Sequence, residues 1–375
     1  MEKKRLLRIY MAGHLNGFLL SSSIICVTLL SIDRFSASPF ELGILGFLIN
    51  FLYSFFTFLA GITRLKFHRA KLLKISTFIL FLIFPLFPFL PHLYGVIALF
   101  GLYGILQSWI WPALQAGLHH RDEKSLSRTT GNYNIAWSSG NILGAYLGGK
   151  IYEISFSFPF FLASFIYLLM FLILKDISLP SPPEEAPSLS SPYPYYLRIS
   201  RIFNLLNFMA IGAILFLFPK LAKLYGFTPS LIGILFSVFF AGRGVFFFLW
   251  RIYTGWRYRF LPLFLAPSLS ILTLFILYLF SSPIWIGLGF LFLSISNTLI
   301  YSAALLATLD LKSSGMVTSE INESILGAGL FLGPLLTGWV SRFLSLPGAF
   351  LSLLPLFIIG EIVSGMIYRQ KLRKR

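Results

Sequence analysis

Apolar stretches of about twenty residues follow one another along nearly the whole chain, separated by short polar breaks. A stretch of that length crosses a hydrocarbon layer as a helix, and a chain made of many such stretches has the bilayer as its solvent. Composition agrees: 57% of residues are hydrophobic, 11% are charged and 42 are Phe, too few charges to clothe a water-soluble core of this size. The segments fall at about 9–31, 40–62, 70–90, 93–118, 130–152 and 156–175, then at about 199–219, 229–250, 260–280, 283–308, 319–341 and 346–368. The predicted class is an all-α membrane protein with twelve transmembrane helices. The opening Met1-Glu2-Lys3-Lys4-Arg5, with Ser36-Ala37-Ser38 further on, imitates a cleavable leader. The apolar run between them is long enough to span, and its counterpart recurs mid-chain, so it is expected to stay as the first helix.

The net charge of +17 sits in turns beside the apolar segments rather than on a polar domain, which excludes nucleic acid as its reason. One side of the bilayer receives Lys3, Lys4, Arg5 and Arg8, then Arg64, Lys66, Arg69, Lys71 and Lys74, then Arg121, Lys124 and Arg128. Lys175, Arg198, Arg201, Arg251, Arg257, Arg259, Lys312 and the basic tail follow on the same side, against only Arg34, Lys150, Lys220, Lys223 and Arg342 opposite. Basic short loops stay in the cytoplasm, so both termini and the central linker are expected there, in the cytoplasmic membrane. With Cys26 replaced, a single cysteine at Ser188 should resist a membrane-impermeant thiol reagent in intact cells; efficient labelling would reverse the topology.

Residues 176–197 form the one long polar break, with six prolines beside Glu184 and Glu185; this extended linker divides a bundle at 1–175 from one at 198–375. The two bundles are copies. Leu7-Arg8-Ile9 recurs as Leu197-Arg198-Ile199, and Pro39 with Gly43-Ile44-Leu45 recurs as Pro229 with Gly233-Ile234-Leu235, at a period of about 190. Gly140, Leu143, Gly144, Leu147 and Gly149 meet Gly329, Leu332, Gly333, Leu336 and Gly338 at a shift of about 189. Six helices per copy give parallel repeats, an arrangement suited to a site at their interface that opens to each side in turn.

On these features the chain resembles the major facilitator superfamily, the type case of parallel membrane repeats. That family's loop after the second helix reads G-x-L-S-D-R-F-G-R-R; here it is Gly61-Ile62-Thr63-Arg64-Leu65-Lys66-Phe67-His68-Arg69-Ala70, keeping Gly61, a basic Lys66, Phe67 and Arg69 but not the acidic residue. The fifth segment resembles the antiporter-branch pattern G-x8-G-x3-G-P-x2-G-G through Gly131, Gly140, Gly144, Gly148 and Gly149, with Ala145 in the Pro slot. The eleventh echoes it with Gly329, Gly333, Pro334 and Gly338. The arginine of the proton-coupled fourth-helix pattern is absent: Leu99, Gly104, Gln107 and Ser108 occupy that stretch. The resemblance implies the major facilitator fold and a transporter, without cofactor or metal, acting on a small-molecule substrate as a monomer with a proton or sodium as possible coupling ion.

Gly140, Gly144 and Gly148 share one helix face. That face is either static packing or a smooth gate surface that rocks against a helix of the other half. Polar groups inside spans are costly and mark either interhelical hydrogen bonds or a substrate path. They concentrate on inner segments: His14 and Asn16, Asn50, Gln107 with Trp109 and Trp111, Asn132, Asn134 and Asn141 with Trp137, Asn204 and Asn207, Arg243, Asn297 and Tyr301, and Glu320, Asn322 and Glu323. Glu361 on the last helix departs from that pattern. The substrate-path candidates are Asn16, Gln107, Trp111, Asn134, Trp137, Asn207, Arg243, Asn297, Tyr301, Glu320 and Glu323. The tryptophans stack on a substrate or face lipid, and His14 is satisfied locally or carries a proton. Arg243, the one basic residue deep in a span, lies ~12 Å from its basic end at ~1.5 Å per residue, and Glu323 lies ~6 Å or more into its own, within an arginine's reach. They form a fixed pair, or one that an anionic substrate or a proton opens.

Metal-ligand clusters, nucleophile elbows and phosphate-binding loops are absent from the sequence, and His119-His120 lack acidic or thiol neighbours at metal spacing, which excludes an enzyme. The expected function is secondary transport by alternating access, as an exporter-type antiporter. The alternatives are a facilitator or importer of a sugar-like or organic solute and, from another class, a non-transporting receptor or lipid-modifying protein.

Overall fold

The structure, a computed structural model, describes residues 2–62, 69–118, 123–177, 179, 193–309 and 315–373. The order is α1 (Glu2–Phe35), α2 (Pro39–Ile62), α3 (Arg69–Ile83), α4 (Leu93–Ala116), α5 (Glu123–Ile154), α6 (Phe158–Leu174), α7 (Pro194–Leu224), α8 (Pro229–Ile252), α9 (Phe260–Leu279), α10 (Pro283–Leu309), α11 (Gly315–Val340), α12 (Leu346–Phe350) and α13 (Leu354–Arg373). α3 runs on as a 3-10 turn over Phe84–Phe89, and α12 and α13 make a single span, Leu346–Arg373. The all-helical architecture expected from the apolar segments is therefore present.

Among the described residues ten helices are long and apolar enough to cross a membrane. The remaining two of the twelve are exceptions with plain causes. α6 has 17 residues, ~25 Å at ~1.5 Å each, a little short of a ~30 Å core. α5 has 32 residues, but its first half carries Lys124, Arg128, Asn132 and Asn134, so its apolar character begins late. Prolines at Pro39, Pro194, Pro229 and Pro283 open α2, α7, α8 and α10, where the missing N–H costs nothing. Ser38 and Glu41 reinforce the start of α2: the Ser38 N–H and hydroxyl both donate to the Glu41 carboxylate at 2.7 Å. α7 begins earlier than its apolar segment suggests, with Tyr196 and Leu197 of the added turn buried, and α1 extends back to Glu2 ahead of its apolar segment.

The helices pack as two compact units, residues 1–37, 63–183 and 222–241, and residues 38–62, 184–221 and 242–375. In the first, α1 lies along α5 and also touches α4 and α6, while α3 packs on α4 and α6. In the second, α11 lies along α2, and α10 packs on α9 and α11. α1 and α7 are the most enclosed, with 83% and 89% of their apolar windows buried against 28% for the last span, so groups on these two helices are held by protein rather than lipid.

Candidate functional site

Four of the buried amides are clamps between helices, whereas neither side-chain polar atom of the equally buried Asn204 has a hydrogen-bond partner among the described residues. In the first unit the Asn16 amide donates to Gln107 Oε1 at 3.1 Å, Gln107 donates back to Asn16 Oδ1 at 3.1 Å, and Gln107 also donates to the Tyr167 hydroxyl at 3.0 Å, tying α1, α4 and α6. In the second, Asn207 donates to Ser270 and Ser296 at 2.7 and 3.0 Å and accepts from Asn297 at 2.8 Å, tying α7, α9 and α10. Asn16, Asn207 and Asn297 are fully buried and Gln107 nearly so. Gln107 and Asn297 occupy equivalent positions of the repeat, so one device secures both copies. Of the two readings open for these four residues, the geometry favours interhelical bonding, since each is bonded to a residue of another helix and none faces open space, with only the Asn297 carbonyl oxygen left unbonded among their side-chain atoms.

On the first unit, Trp111 of α4 meets Trp137 and Tyr133 of α5 edge-on, with ring centres 6.1 and 6.4 Å apart. The Trp137 indole N–H donates to Asn134 Oδ1 at 3.0 Å, and Asn134 itself is exposed. His14 Nδ1 lies 2.9 Å from Ser139 Oγ and 3.2 Å from the Ala136 carbonyl, so that histidine is satisfied locally. Together these groups make a half-buried aromatic and amide surface.

The second unit carries the charged substrate-path candidates, Arg243 and Glu323. Tyr301 of α10 lies in the field of both Arg243 of α8 and Glu323 of α11, and Tyr53 of α2 lies in the field of Glu323 and Tyr301. The Arg243 guanidinium carbon stands 5.8 Å from the Phe247 ring centre, and Phe247 meets Tyr301 edge-on at 5.8 Å. Among the described residues no ion pair within 4 Å joins Arg243 to Glu323. All four side chains keep intermediate exposure. Tyr53 is a residue the sequence reading missed, although it is the one tyrosine among the phenylalanines of α2 and its hydroxyl inside a span was the available signal. Lys66 lies outside the described residues, as does the side chain of Glu320; Arg69 opens α3, and Gly61 stands near the end of α2.

The glycines divide into two sets. A Cβ at Gly140 or Gly144 would overlap the His14 or Phe18 carbonyl of α1, and one at Gly148 would stand 3.0 Å from Ser22 Cα. Gly329 and Gly333 face Leu205 and Met209 of α7 in the same way. These faces pack within their own repeat, and the partner from the other copy is met one residue further on. A Cβ at Gly149 would overlap the Pro229 carbonyl and stand 3.0 Å from Gly233 Cα; one at Gly338 would stand 2.8 Å from the Pro39 carbonyl and 3.0 Å from Gly43 Cα. Gly131 is half-buried on the polar part of α5.

Near the first of these seams, Glu153 accepts the Ser230 N–H at 2.8 Å, and Asp33 pairs with Lys223 at 3.0 Å. Hydrogen bonds from Ser230 hold the Glu153 carboxyl below the usual carboxylate range, so this latch is complete above the ordinary carboxylate pKa and is lost as pH falls through the lowered one. Near the second, Arg342 lies over the Phe40 ring at 3.5 Å. Asp33 and Lys223 are one repeat apart, a signal available in the sequence to anyone pairing opposite charges at that interval.

A sequence profile described as Major Facilitator Superfamily matches residues 10–322. The chain belongs to the major facilitator superfamily. It is thus a multi-pass membrane protein of a transporter family, not an enzyme. The superfamily fold is shared with a bacterial homologue of the human lysosomal transporter Spinster, solved inward-facing. Its unoccupied form is 14% identical with a TM-score of 0.73, covering 100% of this chain and 98% of that one. Its occupied form is 15% identical with a TM-score of 0.76, covering 99% and 97%. The nucleoside transporter NupG is 11% identical with a TM-score of 0.77, covering 97% and 100%. No curated protein matches the chain.

Proposed function

We propose that this superfamily member is a secondary transporter of the cytoplasmic membrane, a monomer with both termini in the cytoplasm, that moves a small solute by alternating access of two six-helix bundles, 1–175 and 198–375, as an exporter-type antiporter. The observation that carries this reading is the matched pair of seams, Gly149 on Gly233 and Gly338 on Gly43, at equivalent positions of the two repeats. Helices that meet through glycine backbone have no side chain to withdraw when they part, so such a contact opens and closes at low cost. The antiporter pattern on α5 supports exchange. With no arginine in the fourth-helix pattern, Glu323 is the carboxylate best placed to carry a coupling proton, and Arg243 with Tyr301 supplies donors for an anionic group of the solute.

The missing arginine also favours a second reading, a facilitator or importer of a sugar-like or organic solute. Proteoliposome flux assays with a solute panel that includes nucleosides separate the two: accumulation driven by an opposing proton or sodium gradient supports exchange, and equilibration indifferent to any gradient supports facilitation. Absence of flux for every solute and gradient would remove transport. Arg243→Gln is expected to lower flux at least tenfold in folded protein, and Glu323→Gln to flatten its pH dependence. Unchanged flux in both would take the cluster out of the mechanism.

A further inference from the structure

The turn from α8 to α9 is more elaborate than a connection needs to be. Residues 250–262 carry Arg251, Arg257 and Arg259, no acidic residue and four large aromatics besides Phe260. Tyr258 takes a left-handed φ of 56°, a conformation that is strained for a non-glycine residue and persists only where its surroundings hold it. Tyr193 holds it by stacking at 4.0 Å, and Tyr196 adds a tilted contact at 5.4 Å. Trp256 is buried and its indole N–H donates to the Trp250 carbonyl at 3.1 Å, while the Trp250 indole N–H donates to Thr298 of α10 at 3.0 Å. Both indoles have therefore spent their donors inward and stand as fixed walls.

Between these walls and the start of α9 lies a cavity of about 270 Å³, lined by Trp250, Tyr253, Trp256, Arg259, Leu261 and Leu299 among others. At ~30 Å³ per water it has room for roughly nine, enough for a phosphoglycerol group and too little for a whole lipid. Among its lining residues Tyr253 and Arg259 carry a hydroxyl and a guanidinium not already spent on a neighbouring helix, and both residues are exposed. Ile252, Tyr253 and Leu261 around the mouth are each more than 60% exposed, so the opening is bordered by apolar surface at the end of two spans. A mostly apolar, acid-free pocket with aromatic walls, one arginine in its lining and an aliphatic lip at the end of two spans has the chemistry of a headgroup site.

We propose that this cavity binds the phosphate headgroup of an anionic phospholipid, with Arg259 on the phosphate, Trp250 and Trp256 flanking the glycerol, and the first acyl carbons along Leu261 and Leu299. The proposal stands apart from the transport reading, because it uses no residue of the seams or of the Arg243 cluster. Native mass spectrometry of the full-length protein in mild detergent, titrated with phosphatidylglycerol or phosphatidylcholine, tests it. Phosphatidylglycerol should bind at least tenfold more tightly than phosphatidylcholine. Arg259→Gln should remove about tenfold of that affinity, whereas Arg257→Gln, equal in charge but outside the lining, should leave it within twofold. Leu299→Trp, which fills the cavity with Arg259 intact, should also abolish retention. Equal losses in Arg257→Gln and Arg259→Gln would reduce the effect to general charge attraction and overturn the site. Full competition by free glycerol phosphate at concentrations matching the lipid would overturn the lipid assignment in favour of a soluble anion.

Discussion

Gly144→Val is expected to leave little folded protein in the membrane. The valine Cβ would overlap the Phe18 carbonyl and the Ser21 hydroxyl and stand 2.7 Å from Phe18 Cα, and two methyls would follow it. Most of these obstacles are backbone of α1, so no rotamer change relieves them and the helices must separate. Separation is not confined to one turn. Gly140 and Gly148 rest on His14 and Ser22, and Cys26 reaches the Gly148 carbonyl at 3.5 Å, so a shift at Gly144 loosens close contact over several turns. Overpacking typically costs about 1–3 kcal/mol, and a backbone obstacle on the longest helix contact of the first unit places this substitution at the upper end. A monodisperse peak in fluorescence-detected size-exclusion chromatography should shrink severely, with a lowered Tm for what remains. A normal peak with normal Tm and impaired flux would instead make this face a moving one.

That expectation shows where reading the sequence stops. Spacing by four places Gly140, Gly144 and Gly148 on one face, but spacing does not say which neighbour the face meets. The neighbour is α1 of the same repeat, and the contact to the other copy falls to Gly149, which the antiporter pattern includes without distinguishing it. Span number and the repeat were legible because each rests on a quantity written along the chain: the length of apolar runs and the interval between matching segments. Asn16 and Gln107 show the opposite case. A polar residue inside a span announces that it needs a partner, and whether the partner is another helix or a solute depends on three-dimensional closure. The repeat narrowed that choice more than residue type did, since Gln107 and Asn297 hold equivalent positions and bond equivalent helices. Arg243 and Glu323 were matched by depth alone, and depth cannot register Tyr301 of a third helix lying in the field of both.

Gly149→Val should separate folding from transport. Its obstacles are the Pro229 carbonyl and Gly233 of α8, with Gly233 Cα at 3.0 Å and its nitrogen at 3.1 Å, whereas the α1–α5 packing through Gly148 lies on a different face and is untouched. What the substitution blocks is one end of the α5–α8 contact, which also holds the Glu153–Ser230 hydrogen bond and the bond from the Ser237 hydroxyl to the Ile142 carbonyl at 3.1 Å. With that end wedged open, the protein should fold with a Tm within a few degrees of the parent and populate mainly states in which the seam is parted. Flux should fall at least tenfold, because a cycle that needs the seam both closed and open cannot complete. Gly338→Val, against the Pro39 carbonyl and Gly43 Cα on α2, should reproduce the phenotype, since the repeat makes the two seams equivalent. Flux normalised to folded protein in proteoliposomes is the measurement. Wild-type flux in both variants would show that neither seam moves, and loss of folded protein in both would return these glycines to static packing.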